Sequence, residues 1–107
     1  MAKYEYARVY FIKNFDNNKY YIGSTTEKYL SKRINQHKGY LTNKNVCTSK
    51  EVFETDNYYY DIIYDCACNN INDLRSLEYQ AIEEYIKEGK NVVNRHKHKI
   101  QYHKNLK

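Results

Sequence analysis

Apolar residues in the second half of the chain recur at a helical interval. Leu74, Leu77, Ala81, Ile82, Tyr85 and Ile86 draw one buried stripe on a helix. At about 100° per residue, Glu78 falls near the middle of that stripe, away from the polar face with Glu83, Glu84 and Glu88. A carboxylate placed where leucine would serve better is costly unless a positive group meets it. The candidate partner is upstream, where Arg33 and His37 lie one turn apart beside a row of Leu30, Ile34 and Leu41. Two helices therefore each push charge toward a shared interior or cleft.

The remaining pattern is strand-like. Residues 6–13 and 20–23 are rich in Val, Ile, Phe and Tyr, with the turn formers Asn14, Asp16, Asn17 and Asn18 between them. They are expected to pair as an antiparallel hairpin. Ser24, Thr25 and Thr26 can cap a first helix over about 27–37, ended near Gly39. Residues 40–57 read as a loop or short irregular turn, and 57–65 as a third strand. Asn70 to Asp73 offers a capping-box-like start to the second helix, with Gly89 suited to its C-terminal end. Asn91 to Asn94 is extended, and a basic segment from Arg95 to Lys99 follows.

Composition adds bounds. At 107 residues the chain holds one core, so a single domain over 1–107 is expected, its core about 6–95 and its basic tail 95–107. Eighteen Lys and Arg against 13 Asp and Glu leave a net charge of +5, which favours a polyanionic partner without proving one. Fourteen tyrosines can serve a small core as large half-buried plates, and Tyr58, Tyr59, Tyr60 and Tyr64 are assigned to packing. The three cysteines, Cys47, Cys66 and Cys68, lack framework spacing and are read as reduced thiols. With no apolar leader and no run of about 18 apolar residues, the expected location is intracellular, cytoplasm or nucleus, away from the membrane.

The hairpin brings in chemistry. Tyr10 on its first strand and Tyr21 on its second are followed by a helix with Arg33 and His37. Gly23 after the second strand lets a backbone or a phosphate approach closely. Phenol, guanidinium and imidazole together suit an anionic oxygen leaving group. The plainer reading is that hairpin tyrosines pack against each other, and that Glu78 with Arg33 forms only a buried ion pair.

Tyr10, Tyr21-Ile22-Gly23, Arg33, His37, Glu78 and Asn94, in that order and spacing, resemble the GIY-YIG nuclease domain. The resemblance runs from about Val9 to Asn94. It implies an α+β fold, a small three-stranded antiparallel sheet flanked by helices, in agreement with the element order above. It also implies a DNA endonuclease that hydrolyses phosphodiesters with one divalent metal ion. By that resemblance Glu78 is the metal ligand and Tyr10 activates the attacking water. Tyr21 lines the same face, Arg33 stabilises charge on the phosphate, and His37 and Asn94 complete the catalytic set. Two positions depart from the pattern. The first motif's glycine is Arg8 here, a residue able to reach a DNA phosphate, and Ser24 stands where some members carry a lysine.

The residue types fit that chemistry. One carboxylate in an apolar groove suits a hard cation, Mg²⁺ or Mn²⁺, with water and phosphate oxygens completing the octahedron. Tyr10, with an ordinary phenol pKa near 10, needs Arg33, His37 and the metal to act as a base near neutrality. Candidate DNA contacts are Arg8, Gly23, Ser24, Lys28, Lys32 and Lys38, and in the tail Arg95, Lys97 and Lys99, facing phosphates. His96, His98 and His103 are assigned to phosphate or solvent. The chain has no room for a second DNA-reading module, so low sequence specificity is expected unless a homodimer or partner protein adds it. Alternatives are an inactive nucleic-acid-binding module of the same fold, or an interaction domain with a tyrosine-rich surface.

Overall fold

The computed structural model describes residues 4–40 and 48–94, and at 37–40 and 48 the backbone alone. Four strands and two helices follow one another as β1 (Arg8–Asn14), β2 (Lys19–Thr25), α1 (Leu30–Tyr40), a 3₁₀ helix (Thr48–Phe53), β3 (Tyr58–Asp65), α2 (Ile71–Lys87) and β4 (Asn91–Val92). The sheet order is β3-β1-β2-β4. β1 is central and antiparallel to both β2 and β3, while β4 lies parallel to β2. The class is α+β, but the sheet is four-stranded and mixed, which corrects the expected three antiparallel strands. The extended residues after α2 supply the fourth strand. Val92 is 2% exposed and Val93 N–H donates to Tyr20 O at 2.9 Å, so burial and a ladder bond together recruit them.

Central β1 is buried on both faces, and each face has its own core. On one side Val9 and Ile22 pack with Leu74, Ala81 and Ile82 of α2 and with Val92. On the other, Tyr10 and Ile12 pack with Ile34 of α1 and Val52 of the 3₁₀ helix, flanked by Tyr21, Leu30, Phe53, Tyr58 and Tyr60. Burying apolar area at about 25 cal/mol per Å² favours this three-layer arrangement, because β1 and β2 present large side chains on both faces. The tyrosines of β3 divide. Tyr58, Tyr60 and Tyr64 pack against the cores, whereas Tyr59 is 46% exposed and stacks on Phe15 at 5.8 Å. Ile86, placed in the α2 stripe by periodicity, is 42% exposed.

Boundaries show which local signals prevailed. β2 runs on through Ser24 and Thr25, so the expected cap for α1 is consumed by strand pairing and the helix starts at Leu30. Thr25 still turns the chain, its Oγ1 accepting from Glu27 N–H at 3.0 Å. α2 begins as the sequence indicates: Asn70 Oδ1 accepts from Asp73 N–H at 2.9 Å. Its end is a Schellman motif, with Gly89 at φ +85, Gly89 N–H to Ile86 O and Lys90 N–H to Tyr85 O, each 3.0 Å. Part of the 40–57 stretch forms the 3₁₀ helix; 41–47, with Leu41 and Cys47, lie outside the described residues. Cys66 and Cys68 are free and half-buried.

A buried amide helps tie the hairpin turn to the 3₁₀ helix, beside a bond from Asn17 Nδ2 to Glu51 O at 2.9 Å. Asn14 has no exposed surface. Its Nδ2 donates to Val52 O and to Thr55 Oγ1, both at 3.1 Å, and its Oδ1 accepts from the N–H groups of Asp16 and Asn17. Truncation would strand several polar groups away from water. Asn14→Ala is expected to lower unfolding stability by about 2 kcal/mol, read as a reduced urea midpoint at unchanged m-value. A midpoint equal to that of the parent would contradict this account of the turn.

Candidate nuclease site

The site forms along the outer edge of β2, past the last described residues that pair with it. β4 covers only Lys19 and Tyr20. The next rung belongs to a side chain: Asn94 Nδ2 donates to Ile22 O at 2.6 Å and its Oδ1 accepts from Ile22 N–H at 2.8 Å. Beyond Ile22 a cleft of about 420 Å³ opens along the strand edge, lined by Tyr21, Ser24, Arg33, Ile71, Arg75, Glu78 and Tyr79. Arg33 comes from α1 on one face of the sheet, and Glu78 from α2 on the other. The two helices reach past the strand edge and put opposite charges into one concavity.

Four of the six expected catalytic residues gather here. Tyr21, Arg33 and Glu78 line the cleft. Tyr10 lies directly behind it, with no exposed surface and a hydrogen bond from Arg33 to its phenol. Asn94 is 0% exposed and both ends of its amide are spent on Ile22, so it positions β2 and does not reach the cleft. His37 follows Arg33 by one turn of α1; its side chain lies outside the described residues.

Tyr10 owes its seat to Gly23, its register partner across the hairpin. A Cβ at position 23 would sit 2.5 Å from Tyr10 Oη and 2.6 Å from Cζ, well inside van der Waals contact. The close approach that this glycine permits is therefore made by a phenol of the same protein. Burial pushes the Tyr10 phenol well above its ordinary range, Tyr21 and Glu78 push it the same way, and the Arg33 guanidinium pulls it down without prevailing. Tyr10 thus keeps its proton near neutrality in the protein alone. The expected role of water-activating base meets both a geometric and an electrostatic obstacle, and Tyr21 is the phenol that faces the cleft.

The expected DNA-contacting residues separate in the same way. Arg8 is largely engaged in the fold: Nη1 donates to Lys28 O at 3.0 Å, Nε lies 4.0 Å from Asp65 Oδ1, and the side chain is 19% exposed. Lys28 rests over the Tyr6 and Tyr29 rings. Lys32 pairs with Glu27 at 3.2 Å on the exposed face of α1. Ser24 lines the cleft, whereas Gly23 serves Tyr10. The side chain of Lys38, and Arg95, Lys97, Lys99, His96, His98 and His103, lie outside the described residues. Arg75 and Tyr79 were missed. Arg75 stands one turn before Glu78, a spacing that puts both on one helix face, yet an arginine on a helix usually marks only a solvated surface.

The strand edge thus gathers a half-buried carboxylate, a guanidinium and two phenols. The chain belongs to the GIY-YIG family: the GIY-YIG catalytic domain model matches residues 6–91, which include Tyr10, Tyr21, Arg33 and Glu78 and stop short of Asn94. Nuclease-type cleavage of nucleic acid comes with that membership. Searches of curated proteins and of solved structures give no significant match. Among the described residues no helix is long and apolar enough to cross a membrane.

The Gly23 contact yields a direct test. Gly23→Ala is expected to displace the Tyr10 ring, and with it Arg33, by close to an ångström. Nuclease turnover should then fall about 100-fold while circular dichroism shows an intact fold. Parental turnover in a folded Gly23→Ala protein would mean that the Tyr10 seat does not matter.

Proposed function

We propose that this protein is a divalent-metal-dependent DNA endonuclease with low intrinsic sequence specificity. The observation that carries the reading is Glu78 facing Arg33 and Tyr21 across one cleft. The donor set bears on the metal. Among the described residues no group of three or more His, Cys, Asp or Glu gathers, so a softer, fully protein-caged ion is a poor match. One half-buried carboxylate in a cleft of about 420 Å³ fits a hard cation such as Mg²⁺ or Mn²⁺, which keeps most of its ligands as water and phosphate oxygens. Such an ion, when bound, adds positive charge beside the phosphate and acidifies nearby water.

The chain's own groups divide the remaining work. Glu78 holds the cation. Arg33 donates to the non-bridging oxygens, where charge grows as the phosphorus centre is attacked. Tyr21, the cleft-facing phenol, orients the attacking water through its hydroxyl. Tyr10 holds the Arg33 guanidinium from behind and is a positioning residue in this reading, because its hydroxyl is buried and keeps its proton. Asn94 acts likewise through β2. The basic tail with Arg95, Lys97 and Lys99 supplies sequence-independent attraction to the DNA backbone. The intracellular location expected from the sequence accords with a DNA substrate.

Glu78→Ala is expected to abolish nicking of supercoiled plasmid in Mg²⁺, to match the wild type treated with chelator, and to keep its fold and its DNA affinity within a few-fold. Cutting by Glu78→Ala at the parental rate would remove the metal assignment. If the wild type bound DNA but never nicked it with Mg²⁺ or Mn²⁺, the inactive binding module would be the better reading. On random-sequence linear DNA a broad distribution of cut positions is expected, and a single unique site on sequencing the ends would contradict low specificity.

A further inference from the structure

A phosphodiester entering this cleft meets a difficulty. It must bring its negative charge beside Glu78, and like charges at close range repel. Arg33 answers on the α1 wall. The opposite wall also carries a cation, since Arg75 lines the same cleft from α2, one turn before Glu78 on the same helical face. Its side chain is exposed, and no hydrogen bond or ion pair with a described residue engages it. An arginine that shares the cleft with Glu78 and has no hydrogen bond or ion pair among the described residues is available to an incoming anion.

The floor of the cleft offers a second donor. In a regular antiparallel ladder, main-chain groups alternate sides along a strand, and the β1–β2 register is unbroken from Arg8↔Thr25 to Lys13↔Tyr20. On β2 the outward-facing residues are fixed by their partners: Tyr20 O accepts from Val93 N–H, and Ile22 N–H and O both engage Asn94. The next outward residue is Ser24, and Ser24 lines the cleft. Among the described residues, neither β4 nor Asn94 reaches that rung. No hydrogen bond from a described residue meets Ser24 on that side. Its N–H therefore points away from β1, on the side of β2 where the cleft opens.

We infer that the Ser24 main-chain N–H and the Arg75 guanidinium form an anion subsite that holds a phosphate oxygen of the DNA strand within the cleft. This rests on the nuclease reading and assigns substrate-binding roles to a residue and a main-chain group on walls that Arg33 does not reach. Arg75 supplies a forked, charge-assisted donor, and the strand edge supplies a fixed one with no side-chain entropy to lose. Together they offset the repulsion between Glu78 and substrate, and they set the position of the DNA backbone before any chemistry.

The test measures binding separately from cleavage. Fluorescence anisotropy with a labelled random-sequence duplex, in chelator and over a salt series, would compare wild type, Arg75→Gln, Arg75→Lys, Ser24→Ala and Ser24→Pro. Arg75→Gln is expected to weaken binding about tenfold and to lower the salt slope by about one, with Arg75→Lys recovering the slope but only part of the affinity. Ser24→Pro removes the N–H at an edge position where proline is tolerated, so it should weaken binding more than Ser24→Ala, which keeps it. Equal affinity and slope for Arg75→Gln and wild type overturns the subsite, as does equal affinity for folded Ser24→Pro and Ser24→Ala. If Ser24→Pro fails to fold, replacing Ser24 by its α-hydroxy acid removes the same N–H, with the same two outcomes. Loss of affinity in Arg75→Gln, together with a wild type that never cleaves in Mg²⁺, would retain the anion subsite and remove the nuclease reading.

Discussion

The unequal outer edge of β2 governs this molecule. Two residues of β4 satisfy its first part, one buried asparagine amide satisfies Ile22, and among the described residues nothing in the sheet continues beyond that. A strand edge with unpaired main-chain groups ordinarily invites another chain. Here α1 and α2 lean past it from opposite faces and convert it into a cleft. Asn94 matters because a side-chain amide carries one donor and one acceptor, as a peptide does. It completes one rung of the edge beside the space in which Glu78 and Arg33 meet.

Charge within that space is arranged in depth. At the surface stand Glu78, Arg33 and Tyr21. Behind them, Tyr10 is fully buried and hydrogen-bonded to Arg33, over a glycine that leaves room for its ring. Burial has two effects on such a phenol: it fixes the hydroxyl in place, and it disfavours the charged form. Both suit a group that orients a guanidinium, and neither suits one that must give up its proton near neutrality. The neighbouring arginine lowers the cost of the phenolate, but desolvation prevails.

Several features were legible in the residues. The α2 helix was readable at both ends, from Asn70 with Asp73 and from Gly89, because capping depends on chain neighbours alone. Glu78 was conspicuous because its place on the helical wheel conflicts with its charge, and a local conflict of that kind points to a partner elsewhere. The GIY-YIG resemblance rested on a few residues in order, and the family match covers all of that stretch except its end at Asn94. The start of α1 was misplaced for a physical reason: Ser24 and Thr25 are good caps, but pairing with Val9 and Arg8 holds them in β2. Arg75 escaped notice because an exposed arginine has the same signature whether it faces solvent or a cleft.

What the sequence determined by itself was local and chemical: the hairpin, the amphipathic stripe of α2, its caps, and the identity of the groups able to bind a cation and a phosphate. Tertiary structure alone decided that residues 91–92 join β2 in parallel and that Asn94 serves the backbone of Ile22. It also decided that one tyrosine faces the cleft while the other lies beneath it. Those outcomes depend on contacts between residues distant along the chain, such as the 72-residue separation of Ile22 and Asn94. Periodicity reports which face of an element is apolar, but it carries no information about where an edge strand ends or what stands opposite it.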